Sequence, residues 1–438
     1  MNAIRRHASA EEASVSLREH IEGPSSAAAS GPGLGQQPSS GTRQTHSRRR
    51  PFLSRLLSAG EAIDAGDHER ARALVEGILR AEPDTGDASE RISGVFGRAL
   101  LARLDGDRSG DGNLYLRSAG PRDMLAAFQL LVHATPLIRF GYLSANAAIV
   151  EAFQHEEEIH VIDIGVGGGT QWPFLLHRLA TRPGGPPRVR LTGIDLPCRG
   201  PDPEQRLRWA GAFIGGWAER LKVPFEFHGV ASSVERVDWS RIASRSAAPI
   251  AVNAAFALHH VPDASVHPTA NRDTILTRIR ALSPRVLTLV EPDVEHNALP
   301  FLPRLSEAIG HYYAVFQALE ALLPPHIAAR ETIEQVFFGQ EVMNVVVGEG
   351  AARVERHERR GAWQRRLRMN GFEPLRVSPH ESMVRGGLRL NTGFDVRADE
   401  PALLLMRNGV SIVAASAWRP RQVPPPSRFI SGLFRRTG

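Results

Sequence analysis

The feature that most narrows the folds open to this 438-residue chain is a change of period near residue 159. Ile159-His-Val-Ile-Asp-Ile164 is a short apolar run that stops at Gly165, and Val-Gly-Gly-Gly-Thr170 follows at once. A run this short, closed by glycine, reads as a strand buried on both faces. Glycines at 165, 167 and 169 allow a tight turn with positive φ and no Cβ to hold a ligand off the backbone. The helix expected next, with Pro173 in its first turn, would present unpaired N–H groups and a positive dipole end.

Around that point the chain divides. Before it, apolar residues recur at helical spacing from Leu56 to Ile78 and from Ser89 to Leu100. Met124 to Phe153 reads as two further helices, the second opening after Ser144 as N-cap. After it, strands are expected at 189–194, 225–228, 250–253 and 286–290, with helices over 173–180, 203–221, 234–244 and 275–282. Such alternation predicts an open, mostly parallel sheet with helices on both faces. A long helical stretch at 301–322 interrupts it, and 403–406 pairs with 411–415 about Arg407-Asn408-Gly409. The expected organisation is a disordered leader (1–50), a helical cap (51–154), a core (155–299), a cap insertion (300–340), the rest of the core (341–419) and a flexible basic tail (420–438).

A net charge of +6 invites a nucleic-acid reading, but its distribution argues against one. Seven Arg and four Glu in 1–50 give +3, and four Arg in 420–438 give +4, which leaves −1 for 51–419. Nucleic acid is therefore not expected as a partner on sequence grounds. No stretch reaches the roughly 18–20 apolar residues of a membrane-spanning helix, and no apolar segment follows the N-terminal arginines as in a secretory signal. The single cysteine, Cys198, cannot form an intrachain disulfide, which fits a reducing, cytoplasmic setting.

Asp163 precedes the glycine turn and Asp195 closes the next strand, where a carboxylate would accept hydrogen bonds from a ribose diol and repel a 2′-phosphate. NAD and S-adenosylmethionine remain. Thr170 stands where a dinucleotide fingerprint needs its third glycine, and Asp163 opposes a pyrophosphate but suits a methionine ammonium. These residues favour S-adenosylmethionine; a glycine turn used for packing alone is the competing reading.

The stretch IHVIDIGVGGGTQWPFLLHRLATRPGGPPRVRLTGID closely resembles the VHIID region of the GRAS family. Residues 56–103 and 124–153 resemble its two leucine-rich regions. VEPDVEHNALPFLPRLSEAIGHYYAVFQALEA and GEGAARVERHERRGAWQRRLRMNGF resemble its PFYRE stretch, and SIVAASAWR its closing SAW motif. The resemblance covers about 55–419. It implies an α/β fold: a Rossmann-like class I methyltransferase core, with a mostly parallel seven-stranded sheet whose last strand is antiparallel, under an N-terminal helical cap. It also implies transcriptional regulation for plant-type members and small-molecule methylation for bacterial-type ones. The full Asp-x-Gly-x-Gly-x-Gly loop departs from the plant pattern, and Phe256 to Asp263 is similar to the fourth motif of small-molecule methyltransferases. One departure runs the other way: GVASS after the third strand lacks an acidic partner for adenine, leaving backbone at Val230 and Ala231.

The function expected is S-adenosylmethionine-dependent methylation of a small-molecule acceptor, preferably at oxygen. The alternative is a catalytically inactive GRAS-type regulator that binds a small ligand, a protein partner or a second copy through the cap. The cofactor would rest on Asp163, Gly165, Gly167, Gly169, Asp195, Ala231, Asn253 and Phe256. Methyl transfer needs alignment and water exclusion, with a base only where the acceptor holds its proton. Glu291, His296 and His260 are the expected acid–base groups, and His259, Asn297, Tyr313 and Arg356 the expected substrate contacts. Glu349, Arg353, Arg356 and Glu358 have the spacing of helical charge pairs. No HxxH, HxxxH or Cys/His spacing marks a metal site, and none is expected.

Overall fold

A computed structural model describes residues 50–81, 86–107, 121–198, 200–324, 328–388, 390 and 393–422. The expected leader and basic tail lie outside the described residues except at Arg50 and 420–422.

Five helices precede the first strand among the described residues: α1 (Arg50–Asp64), α2 (His68–Ala81), α3 (Ala88–Leu104), α4 (Pro121–Ala134) and α5 (Pro136–Ala152). The apolar periodicity of 56–78 is broken at Gly66, whose φ of +75° ends α1. Asp87 caps α3 by accepting from the backbone of Ser89 and Glu90, and the Glu90 carboxylate reaches back to the Asp87 N–H. The second half of the 124–153 stretch starts earlier than expected. Thr135 caps α5 with Pro136 in its first turn, while Ser144 lies mid-helix with its hydroxyl donating to the Phe140 carbonyl.

The core follows as β1 (Glu158–Ile164), α6 (Trp172–Ala180), β2 (Arg188–Asp195), α7 (Gln205–Arg220), β3 (Phe225–Ala231), α8 (Trp239–Ala243), β4 (Ile250–Ala255), α9 (Arg272–Ala281) and β5 (Val286–Pro292). Then come α10 (Phe301–Leu322), α11 (Ala328–Glu331), a π-helical turn (Thr332–Phe338) and α12 (Gly339–Val347). The chain closes with α13 (Arg360–Met369), β6 (Phe372–Pro374), α14 (Glu381–Gly387), β7 (Phe394–Asp399), β8 (Ala402–Arg407) and β9 (Val410–Pro420).

The sheet corrects the expected seven mostly parallel strands. Among the described residues it has nine strands in the order β3-β2-β1-β4-β5-β9-β8-β7, with β6 also on β9. The first five are parallel to one another, and every pairing of β6 to β9 is antiparallel. The eleven residues of β9 explain the excess. One edge pairs with β5, and the other carries β8 along 410–416 and β6 at 418–420. β6 is too short to show a period, and β7 alternates buried with half-exposed or exposed residues. The 349–358 charges are not helical either. A short 3-10 turn (Gly350–Ala352) gives way to an extended strap in which Arg353 and Glu355 to Glu358 are all buried.

Burial fixes how the cap sits. α5 is buried on almost every face and lies over β5 and β9. Gly141 makes that approach possible: a Cβ there would stand 2.5 Å from Val290 Cγ1. α3, α10 and α12 pack together above it, and Arg91 of α3 forms a buried fork onto Glu334 of the π-turn at 2.9 and 3.1 Å. A cavity of about 310 Å³ remains between this cap and the carboxyl ends of the parallel strands.

Candidate functional site

The cavity runs from the glycine turn to a group of histidines. Gly165 and Gly167 form its floor with φ of +82° and +52°, joined by Asp195, Arg206, Ser232, Ser233 and Val234. Phe256, in the left-handed region at φ +55°, also lines it. The cap contributes Tyr142, His311, Phe337, Phe338 and Glu341, and the far end is made by His259, His260 and His357.

The two acidic residues that define the nucleoside end are both engaged within the protein. Asp163 does not line the cavity. Its carboxylate accepts from Trp172 Nε1 at 2.9 Å and Asn253 Nδ2 at 2.8 Å, and burial pushes its pKa up to about 7 despite those donors. Asp195 reaches the cavity but is gripped by Arg206, Nε to Oδ2 at 3.1 Å and Nη2 to Oδ1 at 2.9 Å. It also accepts from the backbone of Gly167 at 3.1 Å and Leu196 at 2.7 Å. Burial still raises its pKa, with Arg206 pulling the other way.

At the histidine end, Glu291 lies behind the wall. It accepts from the Leu258 and His259 backbone at 2.9 and 3.3 Å and meets His259 Nδ1 at 2.5 Å. The strap brings a second carboxylate, Glu355, to the other side of the same ring, with Oε2 3.4 Å from His259 Nε2 and Oε1 3.2 Å from His260 Nε2. Burial opposes charge on His259, yet Glu291 and Glu355 outweigh it and hold the ring at about 10. Burial likewise opposes the Glu355 charge, but His260 and His259 hold that carboxyl well below the usual range. Glu341, accepting from the Tyr312 hydroxyl at 3.0 Å, is pushed up to about 8 by burial and by Glu355. His296 pairs through Nδ1 with His357 Nδ1 at 2.9 Å, and burial keeps both pKa values well below the ordinary value.

Of the residues singled out from sequence, Gly165, Gly167, Asp195, Phe256, His259 and His260 share the cavity. The others lie elsewhere. Gly169, φ +75°, packs its Cα against Ile214, and Ala231 pairs with Asp195 in register on the sheet. Asn253 is buried among Asp163, Gln171 and Thr288. Asn297 binds Asp263, Glu358 and Arg356, whose own guanidinium is spent on Asn297 and the carbonyls of Arg353 and Gly350. Tyr313 faces α3, where the Ser89 hydroxyl donates to it at 3.4 Å, while its neighbour Tyr312 turns to the Glu341 side. Sequence reading missed Arg206, Glu341, Glu355 and His357. The pair Glu355-x-His357, within a charged stretch expected to be helical, was the available signal.

Comparison with known proteins gives this geometry its context. The GRAS domain family matches residues 52–419. The Scarecrow-like transcription factor PAT1 of Arabidopsis thaliana is 35% identical over 375 residues, covering 85% of this chain and 76% of that protein. The DELLA protein SLR1 of Oryza sativa is 32% identical over 396 residues, covering 83% of this chain and 60% of its own length. The crystal structure of SCL7 from Oryza sativa superposes with a TM-score of 0.72 at 30% identity, over 84% of this chain and 99% of that one. The chain therefore spans about 60–76% of these two curated relatives.

These findings overturn the methyltransferase expectation. PAT1, similar along most of the chain, is a transcription factor. In the site, one carboxylate assigned to S-adenosylmethionine is withdrawn beneath the turn, and the other is tied to an arginine. No described helix is long and apolar enough to cross a membrane. With the family match running from the first cap helix to the last strand and a solved relative sharing the fold, the chain belongs to the GRAS domain family.

Proposed function

We propose that this protein is a non-catalytic regulator of the GRAS type, in which a small ligand held beneath the cap governs how the cap meets a protein partner. The observation that carries the reading is the cavity itself. It lies between sheet and cap, and its roof is the π-turn bearing Phe337 and Phe338. A ligand there touches α5, the π-turn and α12 together, so its binding energy falls on the mutual position of those elements. Single turns of π-helix recur at functional sites.

The ligand class we favour is a nucleoside of the S-adenosylmethionine kind, bound at the glycine turn without transfer of its methyl group. Its ribose would have to displace Arg206 from Asp195. The partner we favour is a protein, or a second copy of this chain, at the outer face of the cap; the work would be cytoplasmic.

Calorimetry with S-adenosylmethionine and adenosine, followed by hydrogen exchange on the full chain, tests this. Saturable binding, slower exchange at 136–152 and 332–347, and no consumption of S-adenosylmethionine are expected. Binding that leaves cap exchange unchanged would defeat the regulatory reading.

A further inference from the structure

The far end of the cavity holds a second arrangement, separate from the glycine turn. We propose that His259, His260 and Glu355 form a binding site for a divalent transition-metal cation of the zinc class, with its open position turned into the cavity. The proposal goes beyond the regulatory reading and does not need it.

Donor spacing comes first. One ligand atom from each of the three residues can be chosen so that all lie within 4.8 Å of one another. Zinc binds imidazole nitrogen and carboxylate oxygen at about 2.0–2.2 Å, which separates neighbouring donors on a tetrahedron by about 3.3–3.6 Å. The observed separations are of that size, 3.2 Å from His260 Nε2 to Glu355 Oε1 and 3.4 Å from His259 Nε2 to the other carboxylate oxygen, Oε2. His357 Nε2 stands 3.6 Å from the same Glu355 oxygen as His259.

Glu355 supplies an independent observation. Its side chain is fully buried, and neither carboxylate oxygen accepts a hydrogen bond. A carboxylate removed from water without hydrogen bonds is costly unless a cation lies against it.

The surroundings hold the donors as an outer shell would. His259 meets Glu291 through Nδ1, and His357 meets His296 through Nδ1, so both rings direct Nε2 toward Glu355. Ligating histidines commonly use the other ring nitrogen in this way. Arg272, fully buried, ties the two ligand-bearing segments together by donating to the carbonyls of His259 at 2.9 Å and Arg356 at 2.5 Å. The backbone N–H groups of Val354 and Glu355 both donate to Asn344 Oδ1 at 2.9 Å, which fixes the strap. Three protein donors leave one tetrahedral position. Because His259 and His260 line the cavity, that position suits an oxygen donor such as a carboxylate or alkoxide on a bound molecule.

The test uses the full chain, stripped with a chelator and titrated with Zn²⁺ and Co²⁺ without any organic ligand. One ion per chain should bind, and Co²⁺ should give the visible absorption of a tetrahedral nitrogen–oxygen site. Glu355→Gln and His260→Ala should each weaken binding at least about 100-fold, the upper end of what even outer-shell changes cost. His267→Ala, at an exposed histidine, should leave it unchanged. Absence of the Co²⁺ band in the wild type, or equal Zn²⁺ affinity in His260→Ala and wild type, would overturn the site. The wild-type spectrum decides the matter even where a variant fails to fold.

Discussion

Arg206 holds Asp195 in a two-pronged ion pair at the mouth of the glycine turn, with separations of 3.1 and 2.9 Å. The arginine comes from the start of α7 and the aspartate from the end of β2. The carboxylate that a ribose would address is thus already satisfied, and a nucleoside must break this fork. Arg206→Ala should raise adenosine affinity at least about tenfold in calorimetry, roughly 1.4 kcal/mol. It should also lower the melting temperature of the ligand-free protein, because a largely buried carboxylate loses its cation. Unchanged adenosine affinity would show that the fork does not guard the turn.

Asp163 predicts a pH effect of definite sign. Burial raises its folded pKa to about 7, above the ordinary carboxyl value, so the folded state holds the proton more tightly than the unfolded one. The resulting stability is complete below about pH 4 and is lost as pH rises through about 7. Asp163→Asn removes the titration, so the stability of wild type relative to the variant should fall between about pH 4 and about pH 7 and level off above that. Urea melts across that range measure it; a constant difference would contradict the assignment.

The roof of the cavity depends on a buried charge pair. Arg91 and Glu334 are each almost fully buried, and among the described residues only Arg330, at 3.8 Å, offers Glu334 a second cation. Arg91→Met should destabilise the protein by about 3 kcal/mol or somewhat more, since it leaves a carboxylate without its main partner. Replacing both residues by Met should recover most of the loss. A double-mutant cycle in denaturant reads both numbers, and additive losses would deny the coupling.

Gly141 sets how closely the cap approaches the sheet. A methyl group there meets Val290 Cγ1 at 2.5 Å and the Phe256 ring at 3.1 Å. Gly141→Ala should cost about 1–3 kcal/mol by overpacking, and Val290→Ala in the same chain should return part of it. Failure of the second substitution to help would place the strain elsewhere.

Much of the parallel half was legible because its signals are local. The strands β1, β2, β4 and β5 were expected within two residues of where they lie, and α10 matches its expected bounds. The Asn408-Gly409 turn, with φ of +48° and +82°, likewise announced the β8–β9 hairpin. The antiparallel half was harder. β6 spans three residues and carries no period, and β7 is an edge strand that buries Phe394 and Val396 alone.

The order of residues by itself determined the buried strands, the glycine turn, the cap helices and the family to which they belong, since periodicity and turn chemistry depend on near neighbours. Only the tertiary structure decided that Asp195 faces Arg206, that Asp163 turns away to Trp172 and Asn253, and that Glu355 is carried to His259 and His260. Those pairings join segments up to 96 residues apart in the sequence. They follow from where the cap and strap settle on the sheet, and spacing along a chain does not encode that placement.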